Sequence, residues 1–431
     1  MDKLISLREP NALHWWSFSA LIASLTLFTW LFSGSSFIPW PLFQGHHIGF
    51  YRECPLPGLC AKENSCIELY HYMKSTGLSF GLPRMKFHSP MREPGMRFMH
   101  HTAEHPISPK SPFWYRPRIN NGSYGIMASP PSEHGRFRRV FAAAFTEKSM
   151  REHEPMILQY ANILISQLKT EASKKAPVDI VDWFEYAAFD IVGDLAFSKS
   201  FHSLENNEFH YLVNALRNPK DLPTEADGLQ QITELLHTPK AGAGETPGKS
   251  DLMTYFTERG DGKGLSIIET ENAIGDIMIA GSETVASTLA AICYHIVRNP
   301  EAYRLLTTEI RQSFEREENI VASAVGELPY LNAVMNEAMR LCPSLPMVLP
   351  RMVTEPGMEA CGYWLPPGTL VTFCQLAAYT SPANFASPKE FIPERWLPDS
   401  QFKPTIQRFT THSALVHGTV WERHLGSRKC G

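Results

Sequence analysis

One long apolar run dominates the start of the chain. From Trp15 to Phe32 the sequence reads WWSFSALIASLTLFTWLF, and no Lys, Arg, Asp or Glu occurs between Pro10 and Tyr51. About twenty apolar residues cross a bilayer, and Trp15, Trp16, Trp30 and Trp40 flank the run as interfacial aromatics do. A cleaved signal peptide is the competing reading, with SGSS at 33–36 as its small-residue cleavage site. Length and aromatic flanks favour a retained single-pass anchor over residues 1–44, with its span at about 15–32. No other stretch reads as a span, so the remainder is expected to form one soluble body.

Further along, the pattern changes twice. Residues 45–125 hold many His, Pro, Met and Gly with little periodicity, and a structureless stretch of that size does not suit a compact domain. From about Glu133, apolar residues recur at helical spacing through SEHGRFRRVFAAAFTEKSMREHEPMILQYANILISQLK and DWFEYAAFDIVGDLAFSKSF. Residues 218–250 read as a loop, with clustered Pro, Gly and Lys. IIETENAIGDIMIAGSETVASTLAAICYHIVRN then predicts a long helix, apolar on most sides and therefore buried. Two more helices follow, through PEAYRLLTTEIRQSFE and LPYLNAVMNEAMRLCP, and GYWLPPGTLVTF predicts a short hairpin. The expected fold class is mainly α with a small β portion.

Composition narrows the function classes. The 431 residues are 43% hydrophobic and 19% charged, enough for a substantial core. A net charge of −4 offers no basic surface, so no nucleic-acid partner is expected. The eight cysteines fall at irregular spacings, which reads as a reduced chain with neither a disulfide framework nor a zinc site.

Three short segments carry candidate chemistry. AGSETVAST, Ala280 to Thr288, puts a glycine inside the buried helix, where it costs about 1 kcal/mol against alanine. Close approach of a flat ligand at Gly281 would explain it, and Glu283 beside Thr284 could relay protons to that ligand. A helix with one solvated face and a tolerated glycine is the plainer alternative. In NEAMRLCPSLPMVLPR, Glu337 and Arg340 are three apart and can pair on one helix face. In ANFASPKEFIPERWLP, Arg395 lies in a proline-bounded loop. If that loop folds back, two guanidinium forks share the Glu337 carboxylate in a lock that lysine cannot reproduce.

Taken in this order and spacing, the three segments resemble the microsomal cytochrome P450 family, the heme-thiolate monooxygenases, and most closely its fungal members. AGSET resembles the family's oxygen-activating helix, Glu337-x-x-Arg340 its paired motif, and FIPERW the loop that completes the Glu–Arg–Arg lock. HGRFRR at 134–139, FDIVGDLAF at 189–197, CGYWLPPGT at 361–369 and SPANFASPKEF at 381–391 agree with it. The resemblance covers residues 125–215 and 250–400 and implies a P450 catalytic domain over 126–400. It implies a heme with an axial cysteine thiolate, whose electron donation favours O–O cleavage. It places Arg138, Arg351 and His134 on the heme propionates, Ala280 beside the heme and Gly281 where dioxygen needs room. Glu283 and Thr284 match its proton-delivering acid–alcohol pair. It further implies an NADPH-cytochrome P450 reductase as electron donor, an apolar small-molecule substrate, a place in secondary metabolism, and an endoplasmic reticulum anchor with the catalytic domain in the cytosol.

Both ends of the domain depart from that pattern. The family's ligand loop, Phe-x-x-Gly-x-Arg-x-Cys-x-Gly, falls about two dozen residues after the arginine matching Arg395, and no such loop stands there. Cys430, in Gly426-x-Arg428-x-Cys430, is the in-frame candidate for the metal ligand. However, Arg423 replaces the phenylalanine, and the spacing is some ten residues too long. Joining the last base of each codon to the first two of the next, from Thr411 to Glu422, permits Pro-Phe-Ser-x-Gly-Pro-Arg-Asn-Cys-Leu-Gly. Its cysteine straddles Thr419 and Val420, at the family's spacing, and the Trp421–Glu422 junction forces its last glycine. The same shift across PRMKFHSPMREPGMRFM permits Pro-Asn-Glu-Ile-Ser-Phe and Ala-Trp-Asn-Glu-Ile-Tyr, as in fungal members, with the glutamate forced at Met85–Lys86. Residues 45–125 and the aberrant tail 401–431 therefore read as misassigned exon boundaries over a monooxygenase gene. Taken literally, the tail leaves a catalytically inactive P450-like membrane-anchored protein without heme as the alternative.

Overall fold

The computed structural model describes residues 108–112, 115, 122–145, 147–174, 178–208, 252–257, 264–316, 319–346, 350–360, 363–372 and 375–402. The apolar run at 15–32, the segment 45–107 and Cys430 lie outside the described residues.

The helical stretch after Pro130 divides in two. Helix α1 (Pro131–Ala144) opens on a proline, whose fixed φ suits a first turn, and ends at Phe145 (φ −109°, ψ 51°). Helix α2 (Glu147–Ser173) follows at once. Helix α3 (Ile180–Phe197) is capped by Asp179, whose carboxylate accepts the Val181 N–H at 3.0 Å, and stops at a left-handed Ser198. Gly193 lets the chain fold back there, since a Cβ would meet the Phe201 ring at 2.7 Å and Lys199 O at 2.9 Å. Two short helices follow, α4 (Ser203–Asn206) and α5 (Leu252–Thr257).

The long buried helix expected from the sequence is α6 (Ile267–Arg298), and a capping box starts it. Ser266 Oγ accepts the Glu269 N–H at 3.3 Å, and the Glu269 carboxylate accepts the Ser266 N–H at 2.9 Å. Helices α7 (Pro300–Ser313), α8 (Ala322–Gly326) and α9 (Pro329–Leu341) come next. Leu328 supplies no side-chain cap to α9. Glu309 of α7 takes that role, accepting the Tyr330 and Leu331 N–H groups at 2.7 and 2.8 Å. By length and composition α6 also meets the requirements of a membrane span, contrary to the expectation that residues 15–32 alone do so. Over half of its span-like window is, however, buried inside the body. Ala273, Ile274, Ile277 and Met278 join Phe137, Phe141, Phe189 and Phe256 in one core cluster. Leu289, Ala290, Ile292 and Ile296 join Leu164, Phe184, Leu306, Leu331 and Val334 in another.

The β portion pairs differently from the expected hairpin. Strand β1 (Arg351–Met352) pairs antiparallel with β4 (Leu370–Val371), and β2 (Met358–Ala360) pairs with β3 (Tyr363–Leu365). The two halves of GYWLPPGTLVTF thus pair with earlier strands rather than with each other. Pro366 and Pro367 have no N–H to donate to a ladder. The turn instead bonds to Val353, whose N–H donates to Thr369 O at 2.9 Å and whose carbonyl accepts from Gly368 N–H at 2.8 Å. Helix α10 (Gln375–Tyr379) and a 3₁₀ turn at Pro393–Trp396 lead the chain back onto α9.

Candidate cofactor site and its buried lock

Glu337 and Arg340, on the inner face of α9, and Arg395, in the 3₁₀ turn, meet in the interior with at most 1% exposure each. Arg340 is bidentate: Nε and Nη2 donate to Glu337 Oε2 and Oε1, both at 2.9 Å. Arg395 differs from the expected second fork. Its Nε alone donates to Glu337 Oε1 at 2.9 Å, while Nη1 and Nη2 reach Ala386 O and Ser387 O. The remaining Arg340 donors go to Tyr379 O and Pro388 O at 2.7 Å and to Glu390 O at 3.1 Å. Two cations face one carboxylate, and carbonyl dipoles disperse the surplus charge. The Phe385 ring lies 5.0 and 5.9 Å from the two guanidinium carbons and adds a cation–π contribution. Burial alone would raise the Glu337 pKa, but the Arg340 bonds and the charges of Arg340 and Arg395 outweigh it and hold the carboxyl below its ordinary range. Sequence reasoning misses two further donors to Glu337: the Trp396 indole at 2.9 Å and the Ile392 N–H at 3.0 Å. Trp396 directly after Arg395 is the signal that could have pointed to the first.

The AGSET turn lies between the two core clusters. Ile279, Ala280 and Glu283 are exposed there, flanked by buried turns of the same helix, and Thr284 is half-buried. Thr284 Oγ1 donates to Ala280 O at 2.6 Å. Its own carbonyl accepts from Thr288 Oγ1 at 2.8 Å and from Ser344 Oγ at 3.1 Å, which ties this turn to the segment after α9. Gly281 has a neighbour the sequence did not suggest. A Cβ there would lie 3.2 Å from Val192 Cγ2, so a larger residue requires that side chain of α3 to give by a few tenths of an ångström.

Arg351, at the start of β1, is 4% exposed. Its Nη1 donates to Ser108 O at 3.2 Å, while Nε and Nη2 are buried with no hydrogen-bond partner among the described residues. Burial pulls its pKa down, and Tyr115 offsets this only in part. Stranded donors on a buried charge are costly, and an anionic carboxylate would satisfy them, so the site fits a heme propionate. His134 and Arg138 sit one turn apart on α1, both half-buried. Arg136, unmarked in the sequence, bonds both Glu133 and Glu269 and ties α1 to the start of α6.

Neither described cysteine is a ready thiolate. Cys293 lies in the core, where burial pushes its thiol up to about 12. Cys342 Sγ sits 3.6 Å from His295 Nε2. Burial holds that imidazole near 4, so it stays neutral and supplies no positive charge to stabilise a thiolate.

The chain is similar to known proteins of one family. The cytochrome P450 family profile matches residues 96–236 and 229–414. Cytochrome P450 monooxygenase ORF11 of Penicillium roqueforti is 36% identical over 293 residues, covering 62% of this chain and 61% of that protein. The trichothecene C-4 hydroxylase of Trichoderma arundinaceum is 31% identical over 326 residues, 69% of this chain and 64% of its own length. The averantin hydroxylase of Dothistroma septosporum is 34% identical over 309 residues, 66% of this chain and 59% of its own length. The chain thus matches about three fifths of the length of these relatives. With the profile spanning well over half of its residues, the chain belongs to the cytochrome P450 family.

Proposed function

We propose that this chain binds heme against the exposed centre of α6 and serves as a monooxygenase, inserting one atom of dioxygen into an apolar small molecule in fungal secondary metabolism. The carrying observation is the AGSET turn, open at the middle of a helix that is otherwise buried on both sides of it. When bound, the heme supplies oxygen activation, and the protein supplies position and protons. Ala280 lies beside the cofactor. Glu283 takes protons from solvent, and the Thr284 hydroxyl hands them inward. Arg351, with Arg138 and His134, holds the propionates. The Glu337–Arg340–Arg395 lock fixes α9 against the segment that leads toward the ligand loop. Electrons come from NADPH-cytochrome P450 reductase, and residues 15–32 hold the domain on the endoplasmic reticulum membrane. The names of two of the relatives describe hydroxylation, of a trichothecene at C-4 and of averantin, and this reading extends that class of reaction to the present chain.

The cysteine encoded across the Thr419–Val420 junction in the shifted frame would, in this reading, hold the heme iron. Sequencing the mature transcript is expected to show that frame through the ligand loop and across residues 83–99; a message in the present frame overturns it. Protein expressed from that transcript is expected to give the red-shifted thiolate band in the carbon monoxide difference spectrum of its reduced form. Cys430→Ser in the chain as translated here is the matching test: a thiolate band that this change abolishes makes Cys430 the ligand. The in-frame tail favours a second reading, a membrane-tethered binding or scaffold protein of this fold without heme. A complete absence of heme uptake by the transcript-encoded protein supports it.

A further inference from the structure

Residues 108–111 run antiparallel to 350–352, with Met352 N–H donating to Pro109 O at 2.8 Å and Ser111 N–H to Pro350 O at 2.9 Å. The bridge pairs Lys110 directly with Arg351. Residues opposite one another across an antiparallel pair project to the same side, with Cβ atoms about 4.5–5.5 Å apart, and like charges there repel. Both residues are buried, Lys110 at 7% and Arg351 at 4% exposure. Lys110 Nζ donates to Met127 O at 2.6 Å, a neutral acceptor. Asp276 attracts the ammonium, but its Oδ2 is engaged by the Met127 N–H at 3.1 Å. Burial and the Arg351 charge outweigh that attraction and bring the lysine down to about 8. Two buried cations placed together, with guanidinium donors left open, form a site for an anion with more than one charged oxygen.

We propose that Lys110 is a second cation of the cofactor's carboxylate edge, binding the heme propionates beside Arg351. The proposal rests on the heme reading above. Lys110 lies in the stretch of sequence without periodicity and no motif marks it. It falls, however, within residues 96–236, which the family profile matches in the present frame, beyond the shifted frame expected at 83–99.

The test uses the full chain and metal-free protoporphyrin IX, which needs no axial ligand, against its dimethyl ester, which has the same ring without the charges. Binding is followed by fluorescence titration. Lys110→Met is expected to weaken the diacid about tenfold, the scale of one lost charge-assisted bond, and the diester less than about twofold. Lys110→Gln, which keeps an N–H for Met127 O without the charge, should behave alike and serves if the methionine variant does not fold. Equal weakening of both porphyrins would reduce Lys110 to a prop for the Met127 loop and overturn the proposal. If Arg351→Met removes the preference for the diacid while both lysine variants keep it, the Lys110 assignment fails and the heme reading stands. A wild type that fails to prefer the diacid overturns both.

Discussion

Glu337→Gln is expected to destabilise the fold by about 3–5 kcal/mol, the usual cost of removing one member of a buried charge cluster. The wild-type carboxylate accepts five hydrogen bonds, from Arg340 (two), Arg395, Trp396 and Ile392. Glutamine keeps the shape but faces two guanidinium groups with a neutral amide, one end of which is itself a donor. Since a domain's whole stability is about 5–15 kcal/mol, the variant should lie near its unfolding threshold at 25 °C. The urea midpoint measures the loss, and a shift below about 1 kcal/mol would show that the cluster is not what holds α9 to the 3₁₀ turn. Glu337 titrates below its ordinary range in the folded state, so its contribution is present above the unfolded carboxyl pKa of about 4.3 and is lost as pH falls through the depressed value. The glutamine variant should lack that part of the wild type's acid sensitivity.

The second large effect is expected in catalysis without a loss of fold. Glu283 is exposed, and no described residue hydrogen-bonds to its carboxylate. The Thr284 hydroxyl bonds locally to Ala280 O. Neither side chain carries core packing, so Glu283→Gln and Thr284→Val should leave the melting temperature nearly unchanged. Proton delivery by a positioned group contributes about 10²–10⁴-fold, and oxygenated product formed per NADPH consumed should fall by about two orders of magnitude in either variant. The measurement needs any apolar substrate that the wild type turns over. Product yields within twofold of wild type would remove the pair from the proton path and leave the exposed turn as an ordinary solvated helix face.

How much of this is legible in the residues depends on whether a role is local or distant. Glu337 and Arg340 are one helical turn apart, so their pairing is readable at once. Arg395 is readable as the third member through its motif. Its single bond to Glu337, and the Tyr379, Ala386, Pro388 and Glu390 carbonyls that share the charge, depend on the path of the returning chain. The hairpin illustrates the same limit: alternation and a Pro-Pro-Gly turn mark strand residues, but which strands they meet depends on Val353, outside the motif. Gly281 shows the converse, where a glycine that suggests a ligand already has a neighbour in Val192.

The sequence by itself determined the helical class, the long buried helix, the family, and the residues that share one turn of a helix. Periodicity acts over a few residues, and motif order is preserved along the chain. Only the tertiary structure decided that α6 opens at its centre, that Arg395 contacts Glu337 through one nitrogen, and that Lys110 lies opposite Arg351 in the interior. Those outcomes depend on contacts between residues far apart in the chain, where burial raises the cost of every unpaired charge and so determines which partners must meet.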